Sequence, residues 1–177
     1  MKKHIGKEAI IPAMPICVIA AQQGEKINFA PCGQVGTVTA EPSIVYISVI
    51  KEHLTAQIII KEGKFSISIP DTSMLQKIQY CGSISGNNAD KSGAFEIFYG
   101  DYQVPMLKES SLSFVCKQVQ TIELNEFYLF LGEVLETYAE EDCLSEHLPD
   151  IRKIDPLLCS IDGSFWGVGK EIKQADL

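Results

Sequence analysis

The chain has 177 residues, of which 46% are hydrophobic and 21% charged, a composition typical of one folded domain spanning residues 1–177. Its net charge of −8 argues against nucleic acid or an anionic membrane surface as the main partner, because both need a basic face. No apolar run reaches the roughly 18 residues that span a bilayer, and no apolar segment follows the N-terminal lysines, so we predict a cytoplasmic protein.

The six cysteines show no metal-binding pattern. None belongs to a Cys-x-x-Cys pair, and no Cys/His cluster has zinc spacing. Several lie in apolar surroundings, where a free cysteine behaves as a small buried hydrophobic residue. We therefore predict reduced thiols at Cys17, Cys32, Cys81, Cys116, Cys143 and Cys159.

The N-terminal third contains short β-rich runs bounded by turn residues. Residues 16–21 are a predicted first strand, residues 22–26 a turn and residues 27–30 the return strand. Pro31 and Gly33 then end the return strand or mark a β-bulge in it. The pattern of residues 35–39 leaves their secondary structure ambiguous.

A buried strand at residues 44–50 leads through a polar loop to a predicted helix at residues 56–62. Thr55 is the predicted N-cap, and Gly63 is the predicted stop. A helix N-terminus presents unpaired backbone N–H groups that suit a phosphate. The alternative is that Thr55 only caps the helix.

Period-2 alternation at residues 65–69 predicts a half-buried strand. Asp71 or Thr72 then begins a second helix, which Gly82 ends and whose apolar face carries Met74, Leu75, Ile78 and Cys81. Residues 83–93 form a polar loop, and residues 94–106 show no steady period.

The last third predicts two long strands at residues 112–119 and 126–135, joined by a turn at residues 121–125. After an acidic loop, residues 157–166 return as a last strand or a capping segment. Seven or eight strands with two short helices indicate a small, mainly β barrel with Greek-key-like connections. A doubly wound parallel sheet fits less well, because strands and helices do not alternate.

Side-chain acid–base catalysis finds little support in the sequence. No phosphate-binding P-loop, nucleophile elbow or dinucleotide fingerprint is present, and the three histidines are scattered. If the protein is an enzyme, a bound cofactor carries the reactive atoms. Two further stretches suit a ligand: residues 85–91, otherwise an ordinary surface loop, and residues 27–36, otherwise a bulged strand.

Taken in order, the motifs resemble the flavin reductase-like family, the FMN-binding split barrels that include flavoredoxin. Asn28 follows the first hairpin, and an apolar strand then runs into the loop that ends at Thr55. The series continues with Gly63-Lys-Phe65, Tyr80-Cys-Gly-Ser-Ile-Ser-Gly86 with Asp90-Lys91, Leu131-Gly-Glu-Val134, Asp155-Pro-Leu-Leu158 and Phe165-Trp166.

The resemblance implies a split β-barrel that binds FMN and forms a homodimer, with each FMN near the subunit interface. It implies phosphate contacts from one segment, isoalloxazine and ribityl contacts from a second, and further contacts from a third. The first comprises Ser48, Val49, Ile50, Lys51, His53 and Thr55; the second Asn28, Phe29, Ala30, Pro31, Cys32 and Gly33; the third Ser85, Gly86, Asp90 and Lys91.

The resemblance further implies an oxidoreductase that passes electrons from NAD(P)H through FMN to an acceptor. Two departures bear on this expectation. Many relatives have an arginine where this chain offers Lys51 and His53. Many reductases also have a histidine where residues 126–128 read Glu-Phe-Tyr. An electron-transfer protein reduced by another protein, and a barrel that binds a ligand without catalysis, therefore stay open.

Overall fold

The computed structural model describes residues 1–8 and 11–172. Its helices and strands follow one another along the chain with short connections. The strands are β1 (Met14–Pro15), β2 (Cys17–Gln23), β3 (Lys26–Cys32), β4 (Val35–Ala40), β5 (Ser43–Ile50), β6 (Lys64–Ile69), β7 (Ile97–Tyr99), β8 (Pro105–Leu107), β9 (Leu112–Leu124), β10 (Phe127–Ala139), β11 (Leu144–Ser145), β12 (Leu148–Pro149), β13 (Leu158–Cys159) and β14 (Phe165–Trp166). The α-helices are α1 (Leu54–Glu62), α2 (Leu75–Ser83) and α3 (Ile151–Ile154).

One antiparallel sheet dominates the fold, with the strand order β3-β2-β6-β9-β10-β5-β4. The sheet curls until β3, at one end, approaches β5, the strand next to the other end, where Cys32 Sγ lies 3.6 Å from the backbone oxygen of Ser48. Apolar side chains from these strands and from α1 fill the interior, with Phe65, Phe130 and Ile59 fully buried. The mainly β fold with short helices is therefore confirmed.

A second apolar cluster covers the outer face of β2 and β3. Helix α2 and the β7–β8 hairpin contribute to this cluster, in which Phe29 meets Phe95 edge-on at 5.2 Å between ring centroids. A small sheet of β1, β13 and β14 closes the same side, so the predicted C-terminal segment does return as strand. The outer cluster fixes α2, whose end contributes to the candidate site.

Thr55 is not the N-cap of α1. The helix begins at Leu54, and His53 occupies the cap position without a side-chain hydrogen bond. Thr55 lies in the first helical turn and is fully buried. The predicted stop at Gly63 is correct, because Gly63 adopts the left-handed conformation and its N–H donates to the Ile59 oxygen.

Several predicted boundaries are wrong. Strand β3 continues through Pro31, which is tolerated because β3 is an edge strand. The ambiguous residues 35–39 belong to β4, and the irregular stretch 94–106 contains β7 and the start of β8. Helix α2 runs past Gly82 to Ser83, after a 3₁₀ turn that Asp71 caps. Strands β9 and β10 are longer than predicted, because Asn125 and Glu126 alone form their turn.

All six cysteines are free thiols. Among residues 1–8 and 11–172, no helix combines the length and apolarity needed to cross a bilayer. The same described ranges contain no group of three or more His, Cys, Asp or Glu side chains placed to hold a metal ion.

Candidate functional site

A cavity of about 260 Å³ opens between strand β3, the start of α1 and the end of α2. The loop of residues 84–91 forms its remaining wall. The lining residues are Asn28, Ala30, Pro31, His53, Leu54, Thr55, Cys81, Gly82, Ile84, Ser85, Gly86 and Lys91. The cavity thus combines an apolar wall with a few converging polar groups, as ligand sites commonly do.

Asn28 and Thr55 form the polar floor of the cavity. Asn28 Nδ2 donates to Thr55 Oγ1 at 2.6 Å, and both residues are buried. Asn28 Oδ1 is also buried, yet it accepts no hydrogen bond. Because an unsatisfied buried acceptor costs about 1–3 kcal/mol, this oxygen is set to receive a donor from a bound molecule.

Lys91 brings a positive charge to the cavity wall. The residue is only 4% exposed, and its Nζ donates to the backbone oxygen of Cys81 at 3.0 Å. That oxygen lies near the C-terminus of α2, where the helix dipole favours a cation. None of the ion pairs in the described part of the chain includes Lys91. Burial lowers the pKa of the lysine, as expected for a charge removed from water without a carboxylate partner.

The first turn of α1 faces the same cavity as Lys91, through His53, Leu54 and Thr55. The early backbone N–H groups of a helix lack intrahelical partners and carry the positive end of its dipole. A buried lysine and a helix N-terminus on one cavity attract an anion, while the hydroxyls of Thr55 and Ser85 supply further hydrogen bonds.

The loop of residues 84–91 is tied to the turn that precedes α1 by a hydrogen bond from Asn87 Nδ2 to the backbone oxygen of Glu52, at 2.8 Å. Gly86 lets this loop approach the cavity floor, because a Cβ at that position would lie 2.1 Å from Asn28 Oδ1. A glycine is therefore required where the loop passes over Asn28.

Eight of the sixteen predicted site residues line this cavity. They are Asn28, Ala30, Pro31, His53, Thr55, Ser85, Gly86 and Lys91. Asp90 lies beside it, in an adjoining cavity that shares Gly86. Hydrogen bonds from the backbone and side chain of Ser92 lower the pKa of Asp90, whose carboxylate thus caps its own turn.

The other seven predicted residues lie outside the cavity. Phe29 belongs to the outer apolar cluster, whereas Cys32 and Val49 belong to the barrel core. Ser48 and Ile50 are half-buried on β5, and Gly33 is half-buried in the bend between β3 and β4.

Lys51 points away from the cavity. Its Nζ pairs with Glu123 Oε1 at 2.5 Å and lies over the Tyr128 ring. The structure thus places His53 and Thr55 on the cavity that Lys91 also lines, and Lys51 outside it, while the FMN contacts expected of these residues stay predictions.

Four lining residues were absent from the sequence prediction: Leu54, Cys81, Gly82 and Ile84. Leu54 was missed because the helix was placed two residues too late. Cys81, Gly82 and Ile84 belong to the Tyr80–Gly86 motif that carries the resemblance, but no ligand contact was predicted for them. The Cys81 thiol has a raised pKa, mainly because of burial and despite the nearby Lys91 cation.

Comparisons with known proteins identify the family and the fold. Residues 12–159 match the model of the flavin reductase like domain. A crystal structure of flavoredoxin from Methanosarcina acetivorans is 39% identical, with 99% of this chain and 95% of that chain covered and a TM-score of 0.94. Flavoredoxin of Desulfovibrio vulgaris (Miyazaki F) is 26% identical, with coverage of 99% and 97% and a TM-score of 0.90.

An FMN-binding protein from Thermus thermophilus shares the fold at 20% identity, with coverage of 99% and 100% and a TM-score of 0.86. The predicted split barrel is thereby confirmed, and the family supports a flavin as the cofactor of an oxidoreductase-type protein. The chain belongs to the flavin reductase-like domain family.

Proposed function

We propose that this protein binds FMN, with the phosphate held at the cavity that Lys91 and the start of α1 share. The proposal rests on one observation: Lys91 is only 4% exposed and has no carboxylate partner among the described residues. Burying such a charge is unfavourable unless an anion compensates it. A phosphate dianion supplies that compensation and accepts hydrogen bonds from the helix N-terminus.

The remaining polar groups fit the ribityl chain of a flavin. Its hydroxyls can donate to Asn28 Oδ1, which otherwise has no partner. The backbone around Ala30 and Pro31 lines the cavity on the side where the resemblance implies the isoalloxazine ring. When bound, FMN would supply the redox chemistry, and the protein would hold it and limit the access of solvent.

The proposed reaction is the transfer of electrons from NAD(P)H through FMN to an acceptor. In this proposal the whole chain, residues 1–177, acts as one flavin-binding domain and assembles as a homodimer. Its location in the cytoplasm remains a prediction from the sequence.

A second candidate is a flavoredoxin-like carrier that a reduced protein, not NAD(P)H, supplies with electrons. Two observations favour it. A flavoredoxin is the 39%-identical structural relative, and Tyr128 stands in the segment where many reductases have a histidine. Tyr128 packs against Phe130, with ring centroids 5.7 Å apart, beneath the Lys51 cation.

Flavin titration followed by anaerobic reduction tests both candidates. The purified protein should quench FMN fluorescence and show a flavin absorption spectrum after gel filtration; absence of both would leave only a barrel that does not bind flavin. The FMN form is then mixed with NADH or NADPH in a stopped-flow instrument. Rapid bleaching supports the reductase, whereas bleaching by dithionite or a reduced protein alone supports the carrier.

A further inference from the structure

Two of the six cysteines face each other across neighbouring strands. Cys17 on β2 and Cys32 on β3 are direct partners in the antiparallel pairing of these strands. Both side chains belong to the apolar cluster inside the barrel, so they lie on the same face of the sheet. Directly opposite residues of an antiparallel pair have Cα atoms about 4.5–5.5 Å apart, and disulfides span about 4.4–6.8 Å between Cα atoms. The backbone at this pair therefore has the spacing that a disulfide needs.

A third thiol lies beside this pair and closer to the surface. Cys159 on β13 is half-exposed, whereas Cys17 is 2% and Cys32 6% exposed. The small sheet brings Cys159 there, because Met14, just ahead of β2, pairs with it. Its Sγ lies 3.2 Å from the point that a Cβ on Gly33, the residue after Cys32, would occupy. Cys159 is thus next to both strands of the pair and open to solvent.

The three thiols are close enough to affect one another's ionisation. Burial is the main cause of the raised pKa of Cys17, and Cys32 and Cys159 raise it further. Burial also raises the pKa of Cys32, and Cys159 adds to this increase. Because the thiolate is the attacking form, the two buried thiols react slowly with an external reagent. Exchange with a neighbouring thiol is intramolecular, so it gains from a high effective concentration and needs no reagent in the core.

We propose that Cys17 and Cys32 are a site of reversible oxidation, at which a small disulfide converts the two thiols to a protein disulfide and Cys159 is the point of entry. The Cys159 thiolate attacks the small disulfide, RSSR, and releases one RS group. Cys32 then displaces the second RS group from Cys159, and Cys17 displaces Cys159 from Cys32. Each departing thiolate takes up the proton that an attacking thiol has lost. Two protein thiols and RSSR thus give one protein disulfide and two RSH, a two-electron exchange that leaves Cys159 as a thiol.

The strand geometry makes this disulfide easy to reduce. Opposite Cβ atoms of an antiparallel pair lie about 4.5–5.5 Å apart, farther than the roughly 3.5–4.5 Å of a relaxed disulfide, so the bond draws the strands together under strain. A strained disulfide is labile, as a reversible modification requires. Cys32 follows Ala30 and Pro31, which line the cavity, so the oxidised pair pulls on that wall. The inference concerns the thiols alone and does not depend on FMN binding.

Peptide mapping after oxidation tests the inference. The reduced protein is incubated with 2-hydroxyethyl disulfide, free thiols are blocked with N-ethylmaleimide in acidic urea, and the chain is cut with trypsin without reduction. Cleavage after Lys26 separates Cys17 from Cys32, so their disulfide appears as one linked mass that dithiothreitol splits. We expect this link as the main product. Oxidation through the unfolded chain would instead join the six cysteines in mixed pairs.

Cys159→Ser tests the point of entry. It should slow the formation of the Cys17–Cys32 link by about tenfold or more, since the reagent must then reach a buried thiol. Cys143→Ser is the matched control, because it removes a buried thiol outside this cluster, and it should leave the rate within about twofold. Circular dichroism checks the fold of both variants. Mixed pairs, the absence of any link, or an unchanged rate in Cys159→Ser would overturn the inference.

Discussion

At the scale of single residues, Lys91 is the group whose role can be isolated most sharply. It lines the cavity, it is buried, and within the described residues its side chain donates one hydrogen bond, to the Cys81 oxygen. FMN and riboflavin differ by one phosphate, so replacing a residue that contacts the phosphate should weaken the binding of FMN and not that of riboflavin.

We predict that Lys91→Met weakens FMN binding by about 1.5–3 kcal/mol, roughly 10- to 150-fold in Kd, because a charge-assisted contact is lost. Riboflavin affinity should stay within about threefold, the usual scatter for a distant change. Isothermal titration with both flavins measures the difference, and Lys108→Met, at an exposed lysine, is the control. An equal loss for both flavins would show that Lys91 supports the fold of the cavity and not the phosphate.

Thr55 has a structural role that its sequence context does not reveal. Its hydroxyl accepts from Asn28 Nδ2 inside the protein, so Thr55→Val leaves that amide without its acceptor. We predict a loss of about 1–3 kcal/mol in the free energy of unfolding, together with weaker FMN binding by roughly 0.5–2 kcal/mol. Urea unfolding and flavin titration measure the two effects. Thr37→Val, at an exposed position of β4, should change stability by less than about 0.5 kcal/mol.

If Thr55→Val binds FMN as tightly as the unmodified protein does, then Thr55 serves only the Asn28 contact. The prediction that Thr55 contacts the phosphate would then be wrong, while the assignment of Lys91 would stand.

At the scale of elements, the sequence predicts those strands whose pattern is decided locally. The alternating residues 65–69 and the β-branched run 44–50 were placed within one residue at each end, because alternation and β-branching both mark a strand. The prediction that residues 65–69 are half-buried is wrong: Ser66 and Ser68 are fully buried too, because β8 covers the second face and the Pro105 oxygen accepts from Ser66 Oγ. The length of β9 was underestimated, since residues 120–124 are held by pairing with β10 and not by burial. The β7–β8 hairpin was missed for a similar reason: three-residue strands have no readable period.

The candidate site was predicted only in part for a related reason. Asn28, Thr55 and Lys91 lie far apart in the chain, and elementary patterns give no sign that they meet. Their association came from the resemblance to a family. The phosphate contact that the resemblance implies for Lys51 stays a prediction, although the tip of the β9–β10 hairpin offers Lys51 a partner in Glu123.

Gly132 shows how closely β10 packs on its neighbours. A Cβ at this position would lie 2.7 Å from Phe65 Cζ and 2.9 Å from Cys116 Cβ, both on fully buried residues. We predict that Gly132→Ala lowers the free energy of unfolding by about 1–3 kcal/mol, because the core cannot take up the methyl group without shifting. Gly93→Ala is the matched control, since its Cβ would meet nothing within 4 Å. Equal urea midpoints for the two variants would contradict this packing.

At the scale of the whole molecule, the fold keeps its thiols away from solvent. Burial raises the pKa of Cys17 to about 12, of Cys32 to about 11 and of Cys116 to about 12. Since the thiolate is the reactive form, a raised pKa lowers the reactive fraction at any pH below it. Five cysteines are buried, and Cys159 alone is half-exposed.

We therefore predict that iodoacetamide at mildly alkaline pH modifies Cys159 first in the native protein, and slowly, because the pKa of this thiol is also raised by burial. The other five should react only as the protein unfolds, so their modification in urea should follow the unfolding transition. Peptide mass mapping over time gives the order of reaction. Fast native modification of Cys17 or Cys116 would place those side chains at the surface, and the closed barrel described here would then be wrong. Because FMN binding opposes unfolding, added FMN should move the modification of all five buried cysteines to higher urea concentration, including that of Cys81 in the cavity wall beside Lys91.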